Sequence, residues 1–270
     1  MNTTVRTSGG APILQAANIQ RRFGGVVAVK DVSLAVNPGE IVGLIGPNGS
    51  GKSTMVNLIT GELEVNGGSF TFCGQDVTAL PPYKRVRLGM ARSFQMIRLF
   101  GSLTVEDNLL LAHHIHMRSS TLDTIMGSAA ARQEEDEVRA EARRLLAWFE
   151  LDKFVQHRAT ALSIGQQRMV ELARGLISKP RLFLLDEPAA GLSPPNVDRL
   201  IAIIRRMRDE FGMSILLVEH DMRVVRELCD QVVVLDSGEM IAQGKPEVVV
   251  NDPVVVEAYI GSGWKRRAKA

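Results

Sequence analysis

The strongest structural signal in the sequence is the eight-residue stretch Gly46-Pro47-Asn48-Gly49-Ser50-Gly51-Lys52-Ser53. It fits the pattern G-x-x-x-x-G-K-[ST], in which glycines let backbone amides turn inward and cradle phosphate oxygens. The apolar run 41–45 precedes it, and residues 53–60 follow with apolar side chains at helical spacing. A strand, a glycine-rich loop and a helix in this order predict a phosphate-binding loop in an α/β fold.

The loop also predicts how a nucleoside triphosphate is held. Lys52 would neutralise the β- and γ-phosphates, and Ser53 would ligate Mg²⁺. We expect the nucleotide to be bound by the loop residues Gly46, Pro47, Asn48, Gly49, Ser50, Gly51, Lys52, Ser53 and Thr54. Kinases, GTPases and ATPases all use this motif, so other segments must distinguish these classes.

Length and composition limit the class of protein. The chain has 270 residues, of which 45 % are hydrophobic and 23 % charged, as in a globular protein of one large or two small domains. Two cysteines are too few for a disulfide scaffold, which favours a reducing cytosol. The net charge is +2, but residues 265–269 alone carry +4, so the rest of the chain carries −2. This balance gives no sign of a nucleic-acid partner.

The hydropathy pattern predicts a mostly parallel sheet. Residues 13–36 alternate as antiparallel strands do, whereas the short runs 182–185, 215–218 and 232–235 are fully apolar and separated by helical stretches. Between about residue 101 and residue 176 only helical patterns occur. We therefore predict an α/β P-loop NTPase with a mostly parallel sheet, an N-terminal antiparallel β subdomain and an inserted helical subdomain.

These patterns also predict the boundaries of the domain. Residues 1–12 are polar and rich in glycine, and we expect a disordered tail there. The nucleotide-binding domain is predicted to span residues 13–261, with the helical subdomain inserted at about 101–176. Residues 262–270 form a short basic tail.

Two acids follow the apolar run 182–185. At the carboxyl end of a parallel strand, Asp186 would face the ligand crevice and hold Mg²⁺, and Glu187 would polarise an attacking water. A surface acidic pair that merely opens a loop is the alternative, which the phosphate-binding loop makes less favourable. His220 follows the next such strand and is predicted to sense the γ-phosphate or position the water, although a lone histidine there is more often structural.

Residues 162–167 read Leu-Ser-Ile-Gly-Gln-Gln and begin a helix. Ser163 with Gln166 three residues later has the form of a capping box. Gly165 in the first turn costs about 1 kcal/mol relative to alanine. We interpret it as keeping the helix N-terminus open for a phosphate on another molecule, because this chain already supplies one cradle.

The order of these motifs resembles that of the nucleotide-binding subunits of ATP-binding-cassette (ABC) transporters, over nearly the whole chain. We call residues 162–167 the signature segment, after the corresponding motif of that family. Within the family, the sequence is similar to the larger ATPase subunit of branched-chain amino acid importers. The segments that carry this similarity are Phe23-Gly24-Gly25, residues 91–95 with 97–100, residues 186–192, residues 219–222, Asp252-Pro253 and residues 257–261.

The resemblance implies further roles. Gln95 would contact Mg²⁺ or the attacking water, and Phe23 would stack on adenine. Ser163, Gly165 and Gln166 would meet the γ-phosphate held by a partner subunit. Two positions depart from the family pattern: Ile164 stands where a glycine is common, and Ser193 stands where many relatives carry Asp or Asn.

The resemblance also implies the setting. The chain would be an ATP- and Mg²⁺-dependent ATPase on the inner face of the plasma membrane, powering import of branched-chain or other hydrophobic amino acids. Its partners would be integral membrane permeases, a second ATPase subunit (a copy or a paralogue) and, indirectly, an extracytoplasmic receptor, with no nucleic acid. The alternatives are a soluble non-transport ABC ATPase, or a transporter ATPase for urea, aromatic acids or lipopolysaccharide.

Overall fold

The computed structural model describes residues 10–113 and 129–259, and their strands form two sheets. The strands, in chain order, are β1 (Leu14–Phe23), β2 (Val26–Val36), β3 (Ile41–Ile45), β4 (Gly67–Phe72), β5 (Gln75–Asp76), β6 (Met90–Arg92), β7 (Leu182–Asp186), β8 (Ser214–Val218), β9 (Gln231–Asp236) and β10 (Glu239–Gly244).

The larger sheet has six strands in the order β10-β9-β3-β8-β7-β6. All neighbours are parallel except the hairpin β9–β10. Every residue of β3, β7 and β8 is buried, as expected for strands covered on both faces. The predicted mostly parallel sheet is therefore confirmed.

The smaller sheet is antiparallel, with the order β2-β1-β4-β5. It contains the predicted N-terminal antiparallel strands, and a two-residue turn at Gly24-Gly25 joins the first two. The fold class predicted from sequence is thus confirmed.

Nine α-helices lie in the described ranges: α1 (Lys52–Thr60), α2 (Pro82–Arg87), α3 (Val105–His113), α4 (Ala129–Trp148), α5 (Ile164–Leu176), α6 (Pro194–Phe211), α7 (Met222–Leu228), α8 (Pro246–Val249) and α9 (253–259). Two 3₁₀ turns, Asp152–Phe154 and Ala159–Ala161, lie between α4 and α5.

Between β6 and β7 the described part of the chain contains helices and no named strand. A single antiparallel bridge, between Thr104 and Arg158, ties the start of α3 to the segment before α5. The boundaries of the predicted helical subdomain stay a prediction.

The hydrophobic core lies on both faces of the parallel sheet. Alternate residues of β3 point to opposite faces, so Ile41 and Ile45 pack into one cluster with helices α3–α7, whereas Val42 and Leu44 pack into the other with α1 and the antiparallel sheet. The strand that leads into the phosphate-binding loop is therefore held by packing from both sides.

The predicted disordered tail falls mostly outside the described residues, which begin at residue 10, and the predicted basic tail falls wholly outside them. Among the helices of the described ranges, none combines the length and the apolar character that crossing a membrane requires.

Candidate nucleotide-binding and hydrolytic site

The phosphate-binding loop connects β3 to α1, as predicted. Its backbone has positive φ at Gly46 (147°), Gly49 (84°) and Gly51 (108°), a conformation that residues other than glycine rarely adopt. A Cβ atom on Gly46 would lie 2.0 Å from the carbonyl oxygen of Leu235, and one on Gly51 would lie 2.6 Å from that of Ala28. The loop's path thus depends on glycine at both positions.

Lys52 begins α1 and folds back over the loop. Its Nζ atom donates hydrogen bonds to the carbonyl oxygens of Gly46 (2.8 Å) and Pro47 (2.9 Å). Burial lowers the pKa of Lys52, while the nearby carboxylates of Glu187 and Asp186 raise it. The ammonium group is therefore held at the loop, where a phosphate would meet it.

The loop has the polar groups that a phosphate needs. The N-cap of α1, Gly51, has no side-chain hydrogen bond, so the first amides of the helix have no capping side chain. The hydroxyl of Ser50 is buried and has no partner among the described residues. Free amide donors at a helix N-terminus beside a buried lysine fit a phosphate group.

A cavity of about 400 Å³ opens beside this loop. Its walls are formed by the loop and the start of α1, by strand β2 and by the turn between β9 and β10, namely residues 49–54, Val26, Val27, Ala28 and Ser237. Phe23 lies across the β1–β2 hairpin from Val26, is 42 % exposed, and has the guanidinium of Arg21 4.6 Å from its ring centroid. The predicted adenine contact of Phe23 stays a prediction.

Three predicted catalytic residues meet at the ends of β7 and β8. The Gln95 Nε2 atom donates a 2.7 Å hydrogen bond to Glu187 Oε2, and His220 Nδ1 lies 3.7 Å from the same oxygen. Glu187 has a φ of 46°, and its amide donates to the carbonyl of Val218 on the neighbouring strand (2.9 Å). The left-handed turn after β7 thus leaves the Glu187 carboxylate within hydrogen-bonding distance of Gln95.

Asp186 has a partner that the sequence did not predict. Arg92, at the end of β6, donates to Asp186 Oδ2 at 2.9 Å and also to Asn57 and Glu62. The amide of Asp186 donates to the hydroxyl of Ser93 at 3.3 Å. Arg92 thus orients the carboxylate predicted to hold Mg²⁺. Because Arg92 and Asp186 lie 94 positions apart in the sequence, no local pattern could predict their pairing.

Glu219 is a second residue that sequence reasoning missed, and it supports His220. The side chain is fully buried and accepts hydrogen bonds from the amides of Ala189 (2.9 Å), His220 (3.2 Å) and Asp221 (3.5 Å). Burial raises the pKa of Glu219, and these amides offset part of that effect. The only sequence signal was an acid directly after an apolar strand.

The signature segment begins α5 with the predicted capping box. Ser163 Oγ accepts from the amide of Gln166 (3.4 Å), whose side chain accepts from the amide of Ser163 (2.9 Å). Ile164 is 59 % exposed. Within the described residues, the hydrogen bonds of Ser163 and Gln166 stay inside this turn, and none reaches the phosphate-binding loop.

Gly165 has a packing role that the sequence interpretation did not include. It is buried, and a Cβ atom there would lie 2.9 Å from the side chain of Asn196 in the first turn of α6. Asn196 in turn donates to the hydroxyl of Ser193, the N-cap of α6 (3.0 Å). The turn is therefore exposed at Ile164, and the absence of a side chain at Gly165 also leaves room for Asn196.

The same helix holds the chain on either side of Gln95. Arg168 Nη1 donates to the carbonyl of Phe94, and Nη2 donates to that of Gln95, both at 3.0 Å. Glu171 accepts from the amide of Phe94 at 3.3 Å and from Arg168 at 2.5 Å. We call this pair, Arg168 and Glu171, the loop clamp. Its contacts span more than 70 positions in sequence, beyond the reach of any local pattern.

The C-terminal helix α9 also reaches the site. Burial raises the pKa of the Tyr259 phenol to about 12, while the backbone of Gly46 lowers it by hydrogen bonding. The end of the described chain therefore lies against the start of the phosphate-binding loop.

Comparison with known proteins identifies the family. The sequence model described as "ABC transporter" matches residues 29–190. The chain is also 40 % identical over 250 residues to the high-affinity branched-chain amino acid transport ATP-binding protein BraF of Pseudomonas aeruginosa, covering 93 % of this chain and 98 % of BraF.

The chain belongs to the ABC transporter ATP-binding family.

Other relatives agree. LivG of Escherichia coli, a high-affinity branched-chain amino acid transport ATP-binding protein, is 37 % identical over 93 % of this chain and 98 % of its own. A probable LivG of Archaeoglobus fulgidus is 35 % identical over 93 % and 96 %. A second family model, described as "Branched-chain amino acid ATP-binding cassette transporter", matches residues 239–265. Members of this ABC family are ATPases coupled to transport, so the family resemblance seen in sequence is confirmed.

Solved structures share the fold. The ADP conformation of an ATP-binding cassette of an ABC transporter aligns with a TM-score of 0.82 at 34 % identity, covering 93 % of this chain and all of the other. A nucleotide-free cassette from an ABC transporter aligns with a TM-score of 0.79 at 33 % identity, covering 92 % and 98 %.

Proposed function

We propose that this ABC ATPase powers the import of branched-chain or other hydrophobic amino acids. The observation that carries the proposal is the match of residues 239–265 to the branched-chain amino acid cassette model. The names of the relatives BraF and LivG, which this chain matches almost end to end, support the same cargo. The cargo itself is bound by other subunits, so it enters by similarity alone.

The phosphate-binding loop would hold the triphosphate through its amides and through Lys52. Ser53, Gln95 and Asp186 are the residues proposed to hold Mg²⁺, directly or through water, because hydroxyl, amide and carboxylate oxygens are the ligands it prefers. When bound, the ion neutralises charge on the β- and γ-phosphate oxygens. Arg92 keeps the Asp186 carboxylate in place at 2.9 Å.

Glu187 is the proposed general base. Its carboxylate accepts a proton from the attacking water, Gln95 holds one of its oxygens at 2.7 Å, and His220 stands 3.7 Å from that same oxygen.

The signature segment would complete the site of another subunit. Because the described contacts leave Ser163, Gly165 and Gln166 separate from this chain's own loop, we propose that they face the γ-phosphate on a second ATPase subunit. Two chains would then enclose two nucleotides, and closure would move permease subunits in the membrane. On this proposal the ATPase sits at the inner face of the plasma membrane.

A transport assay tests this function. In a strain of the source organism that lacks this gene, uptake of radiolabelled leucine, urea and the aromatic acid benzoate would be measured with and without the restored gene. We expect the restored gene to increase leucine uptake and Glu187→Gln to leave it at the deletion level. Restoration of urea or aromatic uptake with leucine uptake unchanged would contradict the proposed cargo.

A further inference from the structure

The loop clamp is built from two buried charges, which is expensive in a protein core. Arg168 is 1 % exposed and Glu171 is 2 % exposed, and they pair at 2.5 Å. Replacing a buried ion pair by apolar residues of similar volume is often neutral or stabilising. Stability alone therefore gives no reason for this pair, and its hydrogen bonds must be considered.

Those hydrogen bonds all go to one short segment. The fork of Arg168 holds two successive carbonyls, of Phe94 and Gln95, at 3.0 Å each, and Glu171 holds the amide of Phe94 at 3.3 Å. Residues 94–100 lie outside the helices and strands. The clamp thus supplies backbone partners that this irregular segment lacks.

The segment so held carries a side chain that touches the proposed base. From the backbone fixed by Arg168, the side chain of Gln95 reaches Glu187 at 2.7 Å. Displacing a positioning group by about 1 Å can cost on the order of 100-fold in rate. The backbone position of Gln95 is therefore critical for the geometry of Glu187.

The clamp and the signature segment belong to one rigid helix. Arg168 lies five residues after Ser163, roughly 7.5 Å along the helix axis at 1.5 Å per residue. A displacement that moves α5 as a unit would therefore also move the groups that hold the carbonyls of Phe94 and Gln95.

From these contacts we infer that Arg168 and Glu171 are positioning residues for hydrolysis: they act through the backbone of Gln95 to place its amide on Glu187, and they couple this contact to the position of the signature segment. The inference rests on the proposed function of Gln95 and Glu187. On this inference, the two residues connect two parts of one chain. One part is the signature segment, which would contact the nucleotide bound by a partner subunit, and the other is Glu187, which would act on the nucleotide bound by this chain.

A kinetic cycle tests the inference. The double variant Arg168→Met/Glu171→Leu removes both charges at similar volume, and it is compared with Gln95→Ala and with the triple variant by kcat and KM for ATP. We expect the double variant to lower kcat on the order of tenfold with KM within twofold. In the Gln95→Ala background the same changes should alter kcat by less than twofold, because the clamp acts only through Gln95.

A second variant covers a failure of the first to fold. Arg168→Lys keeps the charge beside Glu171 but loses the planar fork that reaches two carbonyls. It should show the same pattern with a smaller loss of kcat. Arg143→Met is the matched control: it removes one arginine from the buried Glu106, 2.6 Å away, without contacting residues 94–95, and should keep kcat within twofold.

The outcomes separate the two proposals. Equal losses of kcat in the parent protein and in the Gln95→Ala background would show that Arg168 and Glu171 only support the fold. This result would overturn their positioning role and leave the proposed role of Gln95 intact. An unchanged kcat in both clamp variants would overturn that positioning role as well. If Gln95→Ala alone leaves kcat unchanged, the proposed role of Gln95 is wrong and the clamp falls with it.

Discussion

The side-chain amide of Gln95 donates a 2.7 Å hydrogen bond to the carboxylate of Glu187, although the two residues lie 92 positions apart. One comes from the irregular segment after β6 and the other from the left-handed turn after β7. The contact engages one carboxylate oxygen of Glu187 and leaves the other available to a water. A substitution of Glu187 should therefore affect the rate of hydrolysis much more than nucleotide binding.

Glu187→Gln should abolish hydrolysis and keep nucleotide binding. Loss of a general base reduces kcat about 100-fold or more, whereas the phosphate-binding loop is untouched. Steady-state ATPase assays and equilibrium binding of a fluorescent ATP analogue measure the two effects. Glu135→Gln, an exposed glutamate on α4, is the control and should behave as the parent protein. Turnover at the parental rate would remove Glu187 from its role.

Lys52→Met should act in the opposite way, on binding. The buried Lys52 is held over the loop by the carbonyls of Gly46 and Pro47, where it would neutralise phosphate charge. We expect ATP affinity to fall at least tenfold, about 1.4 kcal/mol, in the same binding assay. Lys245→Met, at an exposed lysine before α8, should bind ATP normally; equal affinities in both variants would contradict the assigned role.

Glu219 should make stability depend on pH. Because burial raises its pKa in the folded state above 4.5, the folded protein binds this proton more tightly than the unfolded chain does. Its stabilising contribution is therefore complete below pH 4.5 and is lost as the pH rises through the folded pKa. Urea unfolding at a series of pH values from 4.5 upward measures this change.

Glu219→Gln supplies the comparison. Glutamine replaces one acceptor oxygen with a donor group, which leaves the amides of His220 and Asp221 unsatisfied and costs about 1–3 kcal/mol. The difference in unfolding free energy between the two proteins should shrink as the pH rises, because only the parent has the titrating carboxylate. A constant difference across the range would show that Glu219 does not titrate there.

Gly175→Ala should destabilise the fold from within α5. A Cβ atom at Gly175 would lie 2.2 Å from the ring of Phe183 on β7, a buried contact that cannot open without moving the helix. Overpacking of this kind costs about 1–3 kcal/mol. Thermal unfolding should show a lower Tm, whereas Gly25→Ala, with no atom within 4 Å of the added carbon, should keep the parental Tm.

The sequence was most informative where chemistry is local. The phosphate-binding loop is eight consecutive residues with fixed φ requirements at its glycines, and β7 and β8 each contain four consecutive apolar residues, so each could be located without tertiary contacts. The edge strand β10 was not predicted, because its residues are half-buried or exposed and show no alternating apolar pattern. The strand β6 has three residues, too few for any period to appear.

The missed site residues share a different cause. Arg92, Arg168 and Glu171 act through partners 70 to 95 positions away, and a charged side chain on a helix or strand looks the same in sequence whether it faces solvent or a buried carbonyl. Gly165 was noticed for its helix propensity, whereas its neighbour Asn196 gives the packing reason. Such pairings are fixed only when the elements meet.

The turn between β9 and β10 joins the first and last parts of the nucleotide cavity. Gly238 donates to the carbonyl of Ser50 at 3.0 Å and accepts from the amide of Lys30 at 2.7 Å, and Ser237 lines the cavity. During translation, the phosphate-binding loop is therefore synthesised long before the residues that contact it from the β9–β10 turn. At about 5–20 residues per second, the interval is on the order of ten to forty seconds. During this interval of synthesis the complete phosphate-binding loop exists without the contacts that Gly238 and Ser237 provide in the folded protein.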